Sequence, residues 1–567
     1  MEVTVNQNDA NWLLNQKNEQ SEEVINKYRV AGQIAQTGLK HVIALINESY
    51  HLAKTNRPYT VQELCIMGDS LMGEILGKVY TNTVREKGIS QPTSIEVNDI
   101  VANFSPEVDS ADVIFQQGDL VTVNVGIHID GYTANGAHTL VIYPPGVEID
   151  NDIRPEGPLL GGKADAICAS NVATEATIAL LGTALHPEKC PLQLNPDNNK
   201  AITGKQIRAL VDEIANSFKC IVVPGSKVRR VRRFLAGQSE GIVAEKGFKG
   251  VVWTERDQED YLLRKFANLE NLPENRELVH QKDEKKLEQN TEVPTDDFMI
   301  QIGEVYQVDI RMAPIGDLDK LGLVTLKEID EFSGTNNRTD DFNCKPTIFV
   351  RDYAVSYQLK LKKARSLLGQ IDKEYTVYPF KLSHASDVFP LESLEEIPRL
   401  RESLSANRLG LAELTNRHLV NARPVQVARF LPFEYILNST NPTGKLGFDA
   451  NKPLLPGLEI PLPQLGFSTL KLKSLLKKSS PIPVARELST VFLSSLSNSY
   501  ELIRLTGGKP FPPSWVHSRY QLLEVYSPPI MELLNLLNDS RFGVKVRQCQ
   551  PMRSLPSQLL SQLMQLD

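Results

Sequence analysis

The sequence has few cysteines and no paired cysteine motif. Among its 567 residues the six cysteines are scattered, at Cys65, Cys168, Cys190, Cys220, Cys344 and Cys549, with no C-x-x-C pair. This spacing predicts neither a zinc cluster nor a disulfide framework. We therefore expect reduced thiols, as in a cytosolic or nuclear protein.

Long apolar runs are also missing. The N-terminus, MEVTVNQNDANWLLNQKNEQ, lacks a basic start followed by an apolar stretch, and no later segment stays apolar for the roughly 18 residues of a membrane span. We expect a soluble protein that is not secreted and has no membrane partner. The excess of 69 Asp and Glu over 62 Lys and Arg argues against general coating of nucleic acid and leaves a local basic patch open.

Apolar periodicity predicts several helices and strands. Helical spacing runs from Glu23 to Ser49, and the sequence T-V-Q-E at Thr60 is a capping box for a second helix that ends near Val79. Further helices are expected over 164–181, 204–217, 530–537 and 559–566. An apolar run is present at 220–223, a strand is expected over 303–312, and a hairpin is expected from 488–493 and 501–505.

Composition divides the chain into five regions. We expect a polar, mobile or loosely docked tail (1–22), the first part of a main domain (23–250), a charged insertion (251–300), the remainder of the main domain with Pro-rich insertions near 440–483 (301–510), and a C-terminal extension (511–567). The apolar C-terminal helices are expected to pack onto the main core, with docking onto a partner as the alternative.

The clearest prediction is a hairpin over 121–142. Apolar residues from Val121 to Ile129 alternate with polar ones, Asp130-Gly131 is a strong two-residue turn signal, and Pro144 stops the return strand. This register places Asn124 opposite Ala137, with Asn135 on the diagonal and on the same face. Hydrogen bonding within the fold is the expected role of His128 and His138.

The segment NVGIHIDGYTANGAHT, from Asn124 to Thr139, resembles the metal-site hairpin D-x-G-x-H-x-x-G-x-x-x-D-x-A-x-T of type 2 methionine aminopeptidases. Asn124 and Asn135 stand where that family has metal-binding aspartates. IVANFSP places Asn103 at a histidine of the substrate pocket, GEVYQVDI places Asp309 at the first metal-binding glutamate, and ARELSTVFL places Leu488 at the last. The family's Gly-His-Ser-like segment corresponds to VVPGSKVRRVRRFLAGQSEGIV, which has no histidine.

This resemblance implies an α+β pita-bread fold, like that of methionine aminopeptidase and creatinase, with insertions. It also implies that the chemistry is lost, since Asp309 is the one acid kept at a ligand position and two divalent ions would repel each other without more carboxylates. We expect no catalytic residue, no metal and no cofactor. A single weakly held ion is the alternative for the metal.

A basic cluster replaces the missing histidine segment. Arginine binds phosphate bidentately, so RNA-backbone contact is the preferred interpretation over a solvated surface loop, with a nuclear localisation signal as a third. The candidate RNA-binding residues are Lys227, Arg229, Arg230, Arg232, Arg233, Lys246 and Lys249.

A closer resemblance is carried by PGSKVRRVRRFLAGQ, TANGAHT and the 254–299 insertion. They are similar to a family of fungal methionine-aminopeptidase-like proteins that export the precursor of the large ribosomal subunit, with proliferation-associated receptor-binding proteins as metazoan relatives. The resemblance implies shuttling between nucleus and cytoplasm. It also implies contact with ribosomal RNA and proteins near the exit tunnel, with nuclear-pore repeat proteins, and with other export and maturation factors.

Two other functions stay open on the sequence. An active metallopeptidase would use Asn124, Asn135 and Asp309 with further ligands and a new proton-transfer group in place of Asn103. A peptide-binding module at the exit tunnel would keep the pocket without the chemistry, and an open cleft would favour it.

Overall fold

The structure is a computed structural model. It describes residues 15–149, 152–154, 157–195, 201–233, 249–255, 296–318, 320–329, 344–432, 476–496, 499–539 and 541–552, together with residues 12, 257, 258 and 435. The expected helix over 559–566, Lys246, most of the charged insertion and most of the Pro-rich stretch lie outside these residues.

The helices agree closely with the apolar periodicity where a prediction was made. They are α1 (Glu22–Ile46), α2 (Val61–Lys78), α3 (Gly162–Thr183), α4 (Gly204–Ser217), α5 (Lys362–Glu374), α6 (Ile397–Asn416) and α7 (Ser527–Asn538). Ser21 caps α1 by accepting the amide of Val24, and acidic residues fill its first turn, where they favour the helix dipole. The capping box of Thr60 and Glu63 at the start of α2 is confirmed.

The strands are mostly antiparallel. They are β1 (Lys87–Val97), β2 (Ile100–Ala102), β3 (Leu120–Ile129), β4 (Tyr132–Val141), β5 (Val147–Ile149), β6 (Asp152–Arg154), β7 (Cys220–Val222), β8 (Lys227–Val231), β9 (Gly250–Val252), β10 (Val305–Pro314), β11 (Gly322–Ile329), β12 (Ile348–Arg351), β13 (Phe380–Lys381), β14 (Val420–Ala422), β15 (Val425–Pro432), β16 (Ser480–Pro481), β17 (Ala485–Ser494), β18 (Glu501–Arg504) and β19 (Val546–Gln548).

One large sheet organises the molecule. Its strand order in the described residues is β1-β3-β4-β17-β10-β8-β9, with β7 paired to β10 and β18 joining β17 to β19. Smaller sheets are formed by β2, β11, β15 and β16, by β12 to β14, and by β5 and β6. The predicted hairpins β3–β4 and β17–β18 are both confirmed, because each pairs antiparallel in sequence order.

The core lies between the large sheet and the helices. Helix α1 packs on β3 and β4, and α3 packs on β10 and β17. The face of α1 that includes Ile34, Leu39 and Val42 is fully buried, and each such side chain contributes about 1.5–3 kcal/mol relative to exposure. Helices α5 and α6 form a separate small core with β12 to β14.

Helix α3 is long and apolar enough to cross a membrane by length and composition, and 78% of its most apolar window is buried inside the protein. That burial is what a core helix of a globular domain requires. Helix α7 packs against α3 through Leu533, which confirms the expectation that this segment packs onto the main core.

Residues 15–20, which we expected to be mobile or loosely docked, contact the sheet at several points. The Tyr132 hydroxyl donates to the Lys17 carbonyl, Asn18 exchanges hydrogen bonds with the backbone of Arg233, and Gln20 contacts Ser494. These residues dock because side chains of β4 and β17 and the backbone just after β8 offer them hydrogen-bonding partners.

Candidate functional site

The hairpin of β3 and β4 has the predicted register. Asn124 pairs with Ala137 and Gly126 pairs with Asn135, while Asp130 and Gly131 both have positive φ, as a two-residue hairpin turn requires. A Cβ on Gly126 would collide with the Asn135 side-chain oxygen. That oxygen accepts a hydrogen bond from the Ser90 hydroxyl at 2.7 Å, so the glycine makes room for a polar contact.

Three of the four positions that resemble metal ligands form one row across the large sheet. Asn124 on β3 pairs with Ala137 on β4, Ala137 pairs with Leu488 on β17, and Leu488 pairs with Asp309 on β10. Asn135, the fourth, lies two residues from Ala137 on the same strand. The antiparallel register of the four strands therefore brings these distant segments together.

The carboxylate of Asp309 is held by two arginines. Arg486 donates to both of its oxygens, at 2.8 and 2.9 Å, and Arg311 donates at 3.1 Å. Burial alone would raise the pKa of Asp309, but the positive charges of Arg311 and Arg486 outweigh it and lower that pKa to about 2. Asp309 is thus a carboxylate that is ionised near neutral pH and whose oxygens already have cationic partners.

The sequence reasoning missed both arginines, although a signal for them was present. Arg311 is two residues from Asp309 and Arg486 is two residues from Leu488, so strand alternation puts each on the same face as its neighbour. In the structure Arg311 pairs directly with Arg486, and both are buried. The D-x-R and R-x-L spacings place each arginine on the same face as its neighbour, and the pairing of β10 with β17 then brings them together as a buried ion cluster.

Further charged groups surround this cluster. Lys227 on β8 pairs with Asp309, and its charge helps to lower the Asp309 pKa. Glu96 on β1 is buried near Arg486 and accepts a hydrogen bond from the Ser94 hydroxyl at 2.7 Å. Burial raises the pKa of Glu96 to about 7, although the charge of Arg486 opposes the shift.

These residues do not fit the two divalent ions that the resemblance would imply. Within the described residues, no three His, Cys, Asp or Glu side chains gather as metal ligands would. The side-chain oxygen of Asn124 is buried without a hydrogen-bond partner there, yet Asp309, the carboxylate of the row, is already paired with two guanidinium groups. A dication would have to displace or face those positive charges at short range.

Asn103 has no group that transfers a proton, and the two hairpin histidines differ from each other in their contacts. Asn103 is buried with a positive φ, and its amide donates to the carbonyl of Pro424 at 3.0 Å. His138 contacts Glu487 at 3.1 Å, as structural hydrogen bonding predicts. His128 differs, because its Nδ1 has no hydrogen-bond partner among the described residues and its ring stacks on Tyr378.

The basic cluster is a strand and not the solvated surface loop considered above. Strand β8 pairs with β10, and Val228 and Val231, three residues apart, are buried in two different hydrophobic cores on opposite faces of the sheet. The loop interpretation is therefore wrong for residues 227–231. Lys249 lies on the neighbouring edge and is exposed.

Several arginines of this cluster are engaged inside the molecule. Arg232 and Arg230 both lie within ion-pair distance of Glu304, and Arg233 donates to Asp130 at 2.8 Å while stacking over the Tyr132 ring. The side-chain nitrogen of Arg229 lies 3.4 Å from the Gln307 oxygen. The structure thus gives Arg230, Arg232 and Arg233 a role in packing, whatever they bind.

Comparisons with known proteins agree on one family. The chain is 59% identical over 556 residues to "Probable metalloprotease ARX1" of Debaryomyces hansenii, covering 98% of each chain. It is 45% identical over 584 residues to the protein of the same name in Saccharomyces cerevisiae, covering 98% of this chain and 97% of that one. No family model matches the chain.

The fold has a counterpart among solved structures. "Structure of a thermophilic Arx1" aligns over 91% of this chain and 98% of that chain, with a TM-score of 0.52 and 16% identity. The large antiparallel sheet with its flanking helices is the α+β pita-bread fold that the sequence predicts. The chain belongs to the family of proteins that carry the name probable metalloprotease ARX1, and it is a methionine-aminopeptidase-like protein.

Proposed function

We propose that the protein is a non-catalytic factor that binds the precursor of the large ribosomal subunit near the exit tunnel and assists its nuclear export. The observation that carries the non-catalytic part is the double pairing of Asp309 with Arg311 and Arg486. A carboxylate in that state neither binds a dication nor accepts a proton near neutral pH. The binding and export parts rest on the family resemblance of the hairpin and of β8.

The metallopeptidase alternative is disfavoured by the same geometry. Asn124, Asn135 and Leu488 supply no negative charge, and Asn103 has no titratable group to replace the histidine of an active enzyme. The remaining acid nearby, Glu96, is buried beside Arg486. The row therefore lacks both the ligands and the general acid or base that peptide hydrolysis needs.

A peptide-binding role for the old cleft is also disfavoured. Asn103, Asn124, Asp309 and Leu488 are all buried by the protein itself. A peptide in that cleft would need contact with these positions, and none of them is exposed to it. The binding surface of the proposed factor is accordingly placed outside the cleft.

The proposed partners are ribosomal RNA and proteins at the exit tunnel, nuclear-pore repeat proteins, and other export and maturation factors. The proposed location is nucleus and cytoplasm, between which the protein shuttles. For the RNA contact at β8, Arg229 and the exposed Lys249 are the described residues best placed to reach phosphate, because Arg230, Arg232 and Arg233 already serve internal carboxylates.

Co-sedimentation with large-subunit precursors in a gradient tests the binding role. The variant pair Arg229→Glu and Lys249→Glu is expected to weaken association and flatten its salt dependence, since each lost phosphate contact removes about one unit from the salt slope. A matched pair at exposed Lys509 and Arg541, both changed to glutamate, is expected to leave association unchanged. Full association of the Arg229 and Lys249 variant at every salt concentration would refute RNA contact at β8.

Metal analysis and a peptidase assay test the non-catalytic part. The purified protein is expected to hold no stoichiometric divalent metal and to release no N-terminal methionine from short peptides. Two equivalents of tightly held metal together with methionine release would overturn the proposal.

A further inference from the structure

Two exposed tyrosines lie together on the small subdomain built from α5, α6 and β12 to β14. Tyr353 is 52% exposed and Tyr357 is 43% exposed, although aromatic rings of this size usually find cover. Both lie in the loop between β12 and α5, which is anchored beside β14 by hydrogen bonds from the Asp352 amide to the Leu419 carbonyl and from Asn421 to the Asp352 carboxylate.

Each tyrosine ring is faced by an arginine. The guanidinium carbon of Arg351 lies 4.8 Å from the centre of the Tyr353 ring, and that of Arg417 lies 4.4 Å from the centre of the Tyr357 ring. Arg351 is fixed further by Asp372 at 2.9 Å and by the Leu419 carbonyl at 3.0 Å. The rings are therefore held in place on the surface, which lowers the entropy cost of stacking a ligand on them.

The same loop continues into a run of cations. The sequence KLKKAR, residues 360–365, puts Lys360, Lys362, Lys363 and Arg365 at the start of α5, and all four are exposed. No acidic residue lies in the first turn of α5, where the helix dipole disfavours positive charge. The Glu413 carboxylate accepts the amides of Lys360 and Leu361, so it orders the loop that carries the cations.

We infer that this tyrosine–lysine surface binds single-stranded RNA. Exposed aromatic rings stack on unpaired bases, and interleaved cations neutralise the phosphates between them. The Tyr353, Tyr357 and 360–365 surface supplies both, within one loop and the helix turn that follows it. An acidic protein segment would use the cations and leave the two exposed rings without a partner.

This inference extends the proposed function, in that it adds a second RNA contact distant in sequence from β8. Its test uses the purified full-length chain alone and a fluorescent 12-nucleotide single-stranded RNA. If the purified chain fails to bind this RNA, co-sedimentation with ribosomal precursors can still succeed. If co-sedimentation fails, RNA binding by this surface can still be observed.

The decisive variant is the pair Tyr353→Ala and Tyr357→Ala. RNA affinity is expected to fall at least about fivefold, the lower limit for loss of one base–aromatic stack. The pair Tyr353→Phe and Tyr357→Phe is expected to retain binding, because the ring and not the hydroxyl makes the stack. Tyr500→Ala, at an exposed tyrosine outside this surface that contacts His186, is the matched control and is expected to bind normally.

A second measurement separates stacking from charge. The pair Lys360→Glu and Lys362→Glu is expected to weaken both RNA and heparin binding, whereas the alanine pair at the tyrosines is expected to weaken RNA binding and spare heparin. The inference would be overturned if the alanine pair kept its RNA affinity, or if it lost RNA affinity and heparin affinity equally. Binding of a polyglutamate peptide in preference to RNA would also overturn it.

Discussion

At the scale of single residues, the row of Asn124, Leu488 and Asp309 shows how a position that resembles a metal ligand can be held by ion pairs. Asp309 is the centre of a buried ion cluster with Arg311 and Arg486. Such a cluster contributes little net stability compared with apolar residues of the same volume, but breaking it by removing one partner is costly. The cluster therefore has a measurable signature in mutant stability.

The variant Arg486→Met is expected to lower the free energy of unfolding by about 3–5 kcal/mol, because it removes two hydrogen bonds and leaves a buried carboxylate poorly compensated. Urea denaturation measures the change. The triple variant Asp309→Leu, Arg311→Met and Arg486→Met is expected to recover most of the loss, because the Asp309 carboxylate and both guanidinium groups that pair with it are removed together. A loss below about 1 kcal/mol in the single variant, typical of exposed ion pairs, would contradict the buried-cluster description.

Buried histidines predict how stability depends on pH. Burial lowers the pKa of His41 to about 4, of His51 to about 4 and of His128 to about 3. The unfolded chain has histidines of pKa about 6.5, so below that pH it binds more protons than the folded state. The free energy of unfolding should fall from pH 6.5 towards pH 4, by about 1.4 kcal/mol per pH unit for each such histidine.

Glu96 acts in the opposite sense, because its pKa is raised to about 7. Its contribution to the free energy of unfolding is present below pH 4.5 and is lost as pH rises through 7.

The variant His41→Leu isolates one histidine, whose two ring nitrogens have no hydrogen-bond partner among the described residues. This variant is expected to reduce the dependence of the free energy of unfolding on pH between pH 6.5 and 4, as measured by urea denaturation at each pH. Exposed His517→Gln is the control, and the same pH dependence in both variants would refute the assignment to His41.

At the scale of secondary-structure elements, local signals decide where the helices begin. The capping box at α2 satisfies two backbone amides that the helix leaves open, since Glu63 accepts the amide of Thr60 and Thr60 accepts that of Glu63. Thr60→Ala is expected to reduce stability by about 1 kcal/mol, measured by thermal or urea unfolding. Ser356→Ala, in an exposed loop, should change stability much less, and a matching loss there would remove the capping explanation.

Such local signals explain how much of the fold the sequence predicts. The α1 periodicity, the Thr60 cap and the Asp130-Gly131 turn each depend on neighbours in sequence, and each prediction is confirmed. The predicted pairing of Asn124 with Ala137 follows from the position of the two-residue turn alone. Where the pattern is local, the chain itself carries the information.

Long-range pairing explains what the sequence does not predict. Strand β8 becomes a strand because β10 and β9 offer hydrogen-bonding edges on both sides, while its own KVRRV pattern is equally typical of a basic surface segment. The sheet of β12 to β14 is not predicted, because its short strands join residues far apart in sequence. Helices α5 and α6 are also missed, although the buried Ala364, Leu367 and Ile371 of α5 have helical spacing. The bidentate contact of Arg486 with Asp309 spans 177 positions and follows the same rule.

At the scale of the whole molecule, ligand binding and folding are linked. A divalent ion that bound only the native state would raise the melting temperature. At an ion concentration one hundred times the dissociation constant, the free energy of unfolding would increase by about 2.7 kcal/mol. We expect added Mn²⁺, Co²⁺ or Zn²⁺ to leave the melting temperature of chelator-treated protein unchanged. A saturable rise of several degrees, absent in the Asp309→Leu, Arg311→Met and Arg486→Met variant, would show that the row binds metal after all.

The row from Asn124 to Asp309 also has an evolutionary consequence. Metal binding at this row would require aspartates at Asn124 and Asn135 and an acid at Leu488, and each first substitution adds buried negative charge before any ion is present to offset it. Removing Arg311 or Arg486 first deprives the buried Asp309 of one of its two arginine partners. Each single substitution towards a metal site is therefore expected to destabilise the fold, so the stepwise gain of such a site is disfavoured.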